Sequence, residues 1–269
     1  MPPVADPILA ALYGAGGGIG ALTAGDGAGA IAALRRASAP GEETRALARL
    51  ARDHGLGRAM ERFRAAAAAT SDPARALRDP RILEVLLPAM GMPDAVGQGG
   101  LAARALMADP SDPKGLLMRL SDKRWREAAA TLDLRRRGMD ALRDPAVQAR
   151  LEEGLRRQRW HADLDSSHPG LSDALHFRRR AASVNSAYEI LGDPVLRRVV
   201  TGALGLPMEI AIQPVETQAR AITSRLQVKT LADPRVAGQL AERYLLARAG
   251  EAGPAGLAGA PSPLVALFA

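Results

Sequence analysis

The sequence predicts an all-α fold, a multi-helix chain built from two related helical units with Asp-Pro helix starts. Three observations carry that prediction. From about residue 41 to 248 apolar residues recur with the helical period of about 3.6, and no sustained apolar/polar alternation is flanked by hairpin turns. Asp-Pro recurs as punctuation at 72, 79, 109, 112, 144, 193 and 233, as well as at 6. One helix start and stop is written twice, 114 residues apart, as Leu77-Arg-Asp-Pro-Arg-Ile-Leu-Glu-Val-Leu-Leu-Pro-Ala-Met-Gly-Met-Pro93 and Leu191-Gly-Asp-Pro-Val-Leu-Arg-Arg-Val-Val-Thr-Gly-Ala-Leu-Gly-Leu-Pro207.

Taken in chain order, residues 1–40 are rich in Gly, Ala and Pro and read as a flexible lead-in. Residues 41–138 and 139–248 then form the first and second helical units, and 249–269 a flexible tail ending in the short apolar run Leu264-Val-Ala-Leu-Phe268. His54, before Gly55, reads as a helix C-terminal residue facing the dipole. Near 80–90, Asp79 can cap a helix whose first position is filled by Pro80, where no N–H is needed. Its stripe is Ile82, Val85, Leu86, Ala89 and Met90, and Gly91, Met92 and Pro93 end it.

The same punctuation predicts helices near 113–120, 145–159 and 234–247. Ser121-Asp122 caps a helix over 122–132 that carries Trp125 and Ala129 inward, and Glu216 to Leu226 reads as one more. The second copy spans 194–204, capped by Asp193, with the stripe Leu196, Val199, Val200, Ala203 and Leu204 and the stop Gly205-Leu206-Pro207. Every residue shared by the two copies has a helix-start, core or helix-stop role, so the repeat places no reactive group.

At 269 residues and 47% hydrophobic the chain can bury a sizeable core. It has no cysteine, which excludes disulfides, thiolate zinc sites and cysteine nucleophiles. No apolar run is long enough to span a bilayer, and Met1-Pro-Pro-Val-Ala-Asp6 lacks the basic region of a secretory signal. The default is a cytoplasmic protein. The formal charge of +7 and pI near 10.6 raise a second reading, a basic nucleic-acid-binding or regulatory helical protein. Against it, the runs Arg135–Arg137, Arg156-Arg157-Gln-Arg159 and Arg178–Arg180 are interleaved with acids, and no Gly-aromatic RNA-binding signature accompanies them.

Chemistry finds little footing. Gly25-Asp-Gly27-Ala-Gly-Ala30 follows no strand and reads as a loop. His161-Ala-Asp163-Leu-Asp165-Ser-Ser-His168 is the best metal candidate, yet its spacing fits no established ligand pattern, and a polar interhelix loop explains it. His176 beside Phe177 reads as a packed or surface helix residue. There is no G-x-S-x-G, and the adjacent pairs Glu42-Glu43 and Glu152-Glu153 diverge by about 100° on a helix. The expectation is a non-enzymatic chain with no catalytic, metal or cofactor-binding residues and no cofactor.

One set of residues points to a family. Arg119-Leu-Ser-Asp-Lys-Arg-Trp125-Arg-Glu-Ala-Ala129, then Ala187-Tyr188-Glu-Ile190-Leu191-Gly-Asp193-Pro194, Ala203-Leu-Gly-Leu-Pro207, Gln218, Leu231-Ala-Asp233-Pro234 and Arg243-Tyr244-Leu245 follow in a specific order. Over about residues 56–250 the chain resembles the domain of unknown function 1217 family, bacterial proteins often encoded among flagellar genes. Trp125 stands where a tyrosine is expected, which keeps an aromatic anchor. The resemblance implies a helical protein of flagellum assembly or structure acting through protein-protein contacts with flagellar components, and it leaves export through the flagellar apparatus open beside a cytoplasmic location. It carries over no catalytic or ligand residue.

Overall fold

Helix ends organise this chain. The computed structural model of the protein describes residues 16–252, and every regular element among them is helical. The N-terminal helices are α1 (Gly16–Ala37), α2 (Glu42–Leu50), α3 (His54–Ala69), α4 (Pro73–Ala76), α5 (Pro80–Ala89) and α6 (Gly99–Leu106). They are followed by α7 (Leu116–Arg119), α8 (Arg124–Leu132), α9 (Leu134–Arg137), α10 (Asp140–Arg143) and the long α11 (Pro145–Ser167). The C-terminal part has α12 (Leu171–Arg180), α13 (Ala187–Gly192), α14 (Pro194–Ala203), α15 (Val215–Thr223) and α16 (Pro234–Ala252). Tight 3-10 turns lie at Pro93–Ala95, Ala181–Ser183, Met208–Ile212 and Val228–Ala232. Among the described residues no helix is long and apolar enough to cross a membrane.

The duplicated stretch has the same local geometry in both places. Asp79 accepts from the Arg81 amide at 2.9 Å, and Asp193 accepts from Val195 and Leu196 at 2.9 and 3.1 Å, so each carboxylate satisfies donors that a helix start leaves open. Ile82, Val85 and Leu86 are buried, as are Leu196, Val199 and Val200. Both helices stop in the same way. Gly91 and Gly205 take φ of 77° and 60°. Met92 donates back to the Leu87 carbonyl at 2.8 Å and Leu206 to that of Thr201 at 2.9 Å, the six-to-one bond of a Schellman turn. A side chain at either glycine would be strained in that left-handed conformation.

Other Asp-Pro pairs behave unequally. Asp72, Asp144 and Asp233 accept from the amides of Ala74, Ala146 and Arg235 at the starts of α4, α11 and α16. Asp109 and Asp112 do not start helices. They bond the amides of Ser111 and Lys114 at 2.9 Å in Asx turns, and α7 begins only at Leu116, so the helix expected over 113–120 shrinks to one turn. The cause is local, because Pro113 disfavours helical backbone at Asp112 and Gly115 weakens the next position. Asp6-Pro7 and the apolar run at 264–268 lie outside the described residues.

Three expectations are corrected. Residues 16–37, read as flexible lead-in, form α1: Ala30, Ala33, Leu34 and Ala37 fall at i, i+3, i+4 and i+7 and are all buried, which outweighs poor glycine propensity. His54 is the first residue of α3, at the opposite end from that expected, because Asp53 accepts from the Gly55 and Leu56 amides at 2.6 and 3.2 Å. The stretch His161–Ser167, read as a loop, continues α11, which buries Val147, Leu151, Leu155 and Trp160 along its length.

Two compact units result, each drawn from separated stretches of chain. Among the described residues one comprises Ser38–Ser166 and Tyr188–Arg197, the other residues 16–37, Ser167–Ala187 and residues 198–252. In the first, α3 packs on α5 and α6 on α8, around Phe63, Leu77, Leu86, Leu87, Met92, Leu106 and Leu132. Burying each such side chain stabilises by about 1.5–3 kcal/mol. Gly154 of α11 lies so close to the end of α5 that a methyl there would collide with the Ala89 carbonyl. Arg124 ties the α5 stop to the α8 start by donating to the Gly91 carbonyl, Asp94 and Asp122. In the second unit α1, α12 and α16 pack mutually, burying Leu34, Leu175, Phe177, Leu240 and Tyr244. Arg35 donates to Glu242 across this trio at 2.9 Å.

Two outcomes follow from the helix starts. Asp193→Ala should cost about 1 kcal/mol of unfolding free energy through loss of the α14 cap, measured by urea denaturation. Asp53 is held below the usual carboxylate range by the Leu56 and Gly55 amides, Asp79 by the Arg81 side chain and Asp144 by the Arg137 side chain. A depressed folded pKa stabilises above the unfolded value and is lost as pH falls through the folded one. The urea midpoint should therefore fall as pH is lowered from about 4 towards 2.

Candidate interaction surface

Of the six exposed large apolar side chains among the described residues, three lie in one eight-residue segment: Met208 at 90%, Ile212 at 84% and Val215 at 43% of full exposure. Water should drive such side chains inward unless the backbone that bears them is fixed. It is fixed from both ends.

On the upstream side, the segment leaves α14 through the Gly205 stop and Pro207. The Arg225 guanidinium donates to the Leu204 carbonyl at 3.0 Å, satisfying an acceptor at the helix end. The body of α14 is clamped. Arg198 makes a bidentate pair with Asp173 of α12, Nε to Oδ2 at 2.6 Å and Nη2 to Oδ1 at 2.8 Å. The Tyr244 hydroxyl of α16 donates to the same Asp173 Oδ2 at 3.0 Å. Burial, reinforced by the Asp173 charge, pushes the Tyr244 hydroxyl above its ordinary pKa, and the Asp173 hydrogen bonds raise that of Arg198 against the cost of burial. Both groups keep their protons at every physiological pH. The Tyr244 ring fills the space left by two glycines: a methyl on Gly202 would lie 2.9 Å from Tyr244 Cδ2, and one on Gly170 2.9 Å from Cε1.

On the downstream side, Gln218 of α15 reaches back under the turn. Its Nε2 donates to the Gln213 carbonyl at 2.7 Å and to the Ala211 carbonyl at 3.3 Å. Its exposure is only 9%, and a buried amide that gives both hydrogens to a loop fixes that loop's backbone. Within the turn, Ile210 and Gln213 donate from their amides to the Pro207 and Ile210 carbonyls at 3.1 Å each. The apolar side chains are thus presented on an ordered scaffold.

The residues weighed for chemistry are distributed otherwise. His161, Asp163 and Asp165 lie on α11, His168 follows that helix, and Asp163 pairs with Arg159 at 3.2 Å. Among the described residues no three His, Asp or Glu side chains converge as metal ligands. Glu42 binds Arg45 and Arg49, Glu43 binds Arg157, Glu152 binds Arg64 and Arg156, and Glu153 binds Arg157, so the adjacent acids serve separate ion pairs. Arg135 pairs with Asp109 at 2.6 Å and Arg137 with Asp144 at 2.6 Å. His176 lies part-buried on α12. Sequence reasoning named Gln218 and Tyr244 as marks of resemblance but missed Asp173, Arg198 and the exposed trio. The available signal was Met208-Glu-Ile-Ala-Ile212, an apolar run between Pro207 and Pro214 too short to bury itself as a helix.

Comparison with known proteins bears on family and fold. Residues 89–236 match the family model described as Protein of unknown function (DUF1217). That span contains α14, the turn and Gln218. A crystal structure of a protein from Agrobacterium tumefaciens shares the fold with a TM-score of 0.62 at 23% identity, over 84% of this chain and 93% of that one. No curated protein matches the chain.

Gly202→Ala should destabilise the protein by about 1–3 kcal/mol, because the added methyl meets the Tyr244 ring and the ring has no room to move. Thermal unfolding measures it.

Proposed function

Since the chain belongs to the DUF1217 family, we propose that it is a non-enzymatic helical protein of bacterial flagellum assembly or structure that works through protein-protein contacts, with flagellar components as partners. The family resemblance supports the flagellar setting. The contact surface rests on one observation, the exposed Met208, Ile212 and Val215 held on a turn that Gln218 and the α14 stop keep ordered. Large apolar side chains that a protein pins outward are the hallmark of a binding surface. The Arg135, Arg137, Arg156 and Arg157 side chains pair with acids, which favours this reading over phosphate binding.

Deletion of the gene should impair swimming and leave fewer or incomplete flagella, and the wild-type gene should restore both. A Met208→Ser/Ile212→Ser variant present at the same cellular level should fail to restore them. Normal swimming after deletion would remove the flagellar role, and full rescue by the double variant would remove the surface.

A further inference from the structure

The same segment carries a charge pattern that specifies its partner. Glu209 and Glu216 are the only charged residues between Met208 and Glu216, and both are exposed. Neither carboxylate has an ion pair among the described residues. Arg220, one turn beyond Glu216, gives its hydrogens to the Glu216 backbone carbonyl at 3.4 Å and the Thr217 hydroxyl at 3.5 Å instead. Arg225, the next cation along the chain, is committed to the Leu204 carbonyl. In a chain of net charge +7, this segment places two unpaired, exposed carboxylates and no cation beside three exposed apolar side chains, so its local charge is opposite to that of the whole.

We propose that the Met208–Glu216 surface binds a partner whose apolar side chains are bordered by lysine or arginine, the chemistry of a basic amphipathic helix. This rests on the interaction reading above and adds the charge of the partner to it. Met208, Ile212 and Val215 supply the apolar contact, and Glu209 and Glu216 supply the complement to flanking cations. A second copy of this chain does not fit, because a two-fold contact sets the same patch against itself and brings like carboxylates together. A patch of this size is far below the 20–30 residues a side of a standard stable interface, so the contact is a weak, exchanging one.

The test uses the full chain and two fluorescent synthetic helices with the same leucine stripe, one bordered by lysine and one by glutamate, read by anisotropy. The wild type should bind the lysine-bordered helix about tenfold tighter, the preference that two exposed ion pairs provide. This opposes the protein's net charge, which by itself favours the acidic helix. Glu209→Gln/Glu216→Gln should abolish the preference, and Met208→Ser/Ile212→Ser should abolish binding of both helices with the circular dichroism spectrum unchanged. Equal or tighter binding of the acidic helix, or a preference that survives loss of both carboxylates, overturns the proposal. If the preference is absent but the serine variant still loses both helices, the interaction surface stands without its charge rule. If the serine variant binds as the wild type does, surface and charge rule fall together. A wild-type dimer in sedimentation that Glu209→Gln/Glu216→Gln strengthens would make a second copy the occupant and likewise overturn it.

Discussion

Asp173 accepts three hydrogen bonds from two other helices, and the position of the candidate surface depends on them. Arg198 brings α14 to α12 and Tyr244 brings α16 to the same carboxylate, so one side chain fixes three helices. A half-exposed arginine pair contributes little by itself. The constraint gains force from packing, since the Tyr244 ring occupies the space beside Gly202 and Gly170 that a side chain at either would need. With α14 held in this way, its Gly205 stop delivers Pro207 and Met208 at a defined point. Removing any member would loosen the start of the turn before touching the residues displayed on it.

The duplicated helix shows how far punctuation alone can determine structure. At both sites a carboxylate satisfies the first amides, three apolar residues on one face are buried, and a left-handed glycine turns the chain back on the last helical turn. Their surroundings then diverge. In α5 the end of the helix is met by Gly154 of α11, whereas in α14 the small residue is Gly202 of the helix itself, opposite Tyr244. The shared residues make the helix, and the unshared ones choose what it packs on. That is why repetition here marks scaffold.

Helix type and helix ends were legible because caps, prolines and apolar periods act within a few residues. Asp79, Gly91, Trp125 and Ala129 have the local roles their spacing implies. The failures have a common cause. At α1 a glycine-rich stretch is helical because Leu34 and its neighbours bury against partners far away in sequence, and at His54 the cap one residue earlier decides the polarity of the helix. Local propensity cannot report tertiary burial. The candidate surface was hidden for the same reason: Met208 and Ile212 look like core residues until Gln218, from the next helix, is seen to hold their turn outward. Asp173 and Arg198 are ordinary charged helix residues until they meet.

Amide hydrogen exchange over residues 207–216, compared in the wild type and in Gln218→Ala, tests the ordered display most directly. The amides of Ile210 and Gln213, which bond the Pro207 and Ile210 carbonyls, should be measurably protected in the wild type and lose that protection in the variant while the core helices keep theirs. Exchange of both amides at the unprotected rate in the wild type would contradict an ordered display and leave three apolar side chains on a loose loop.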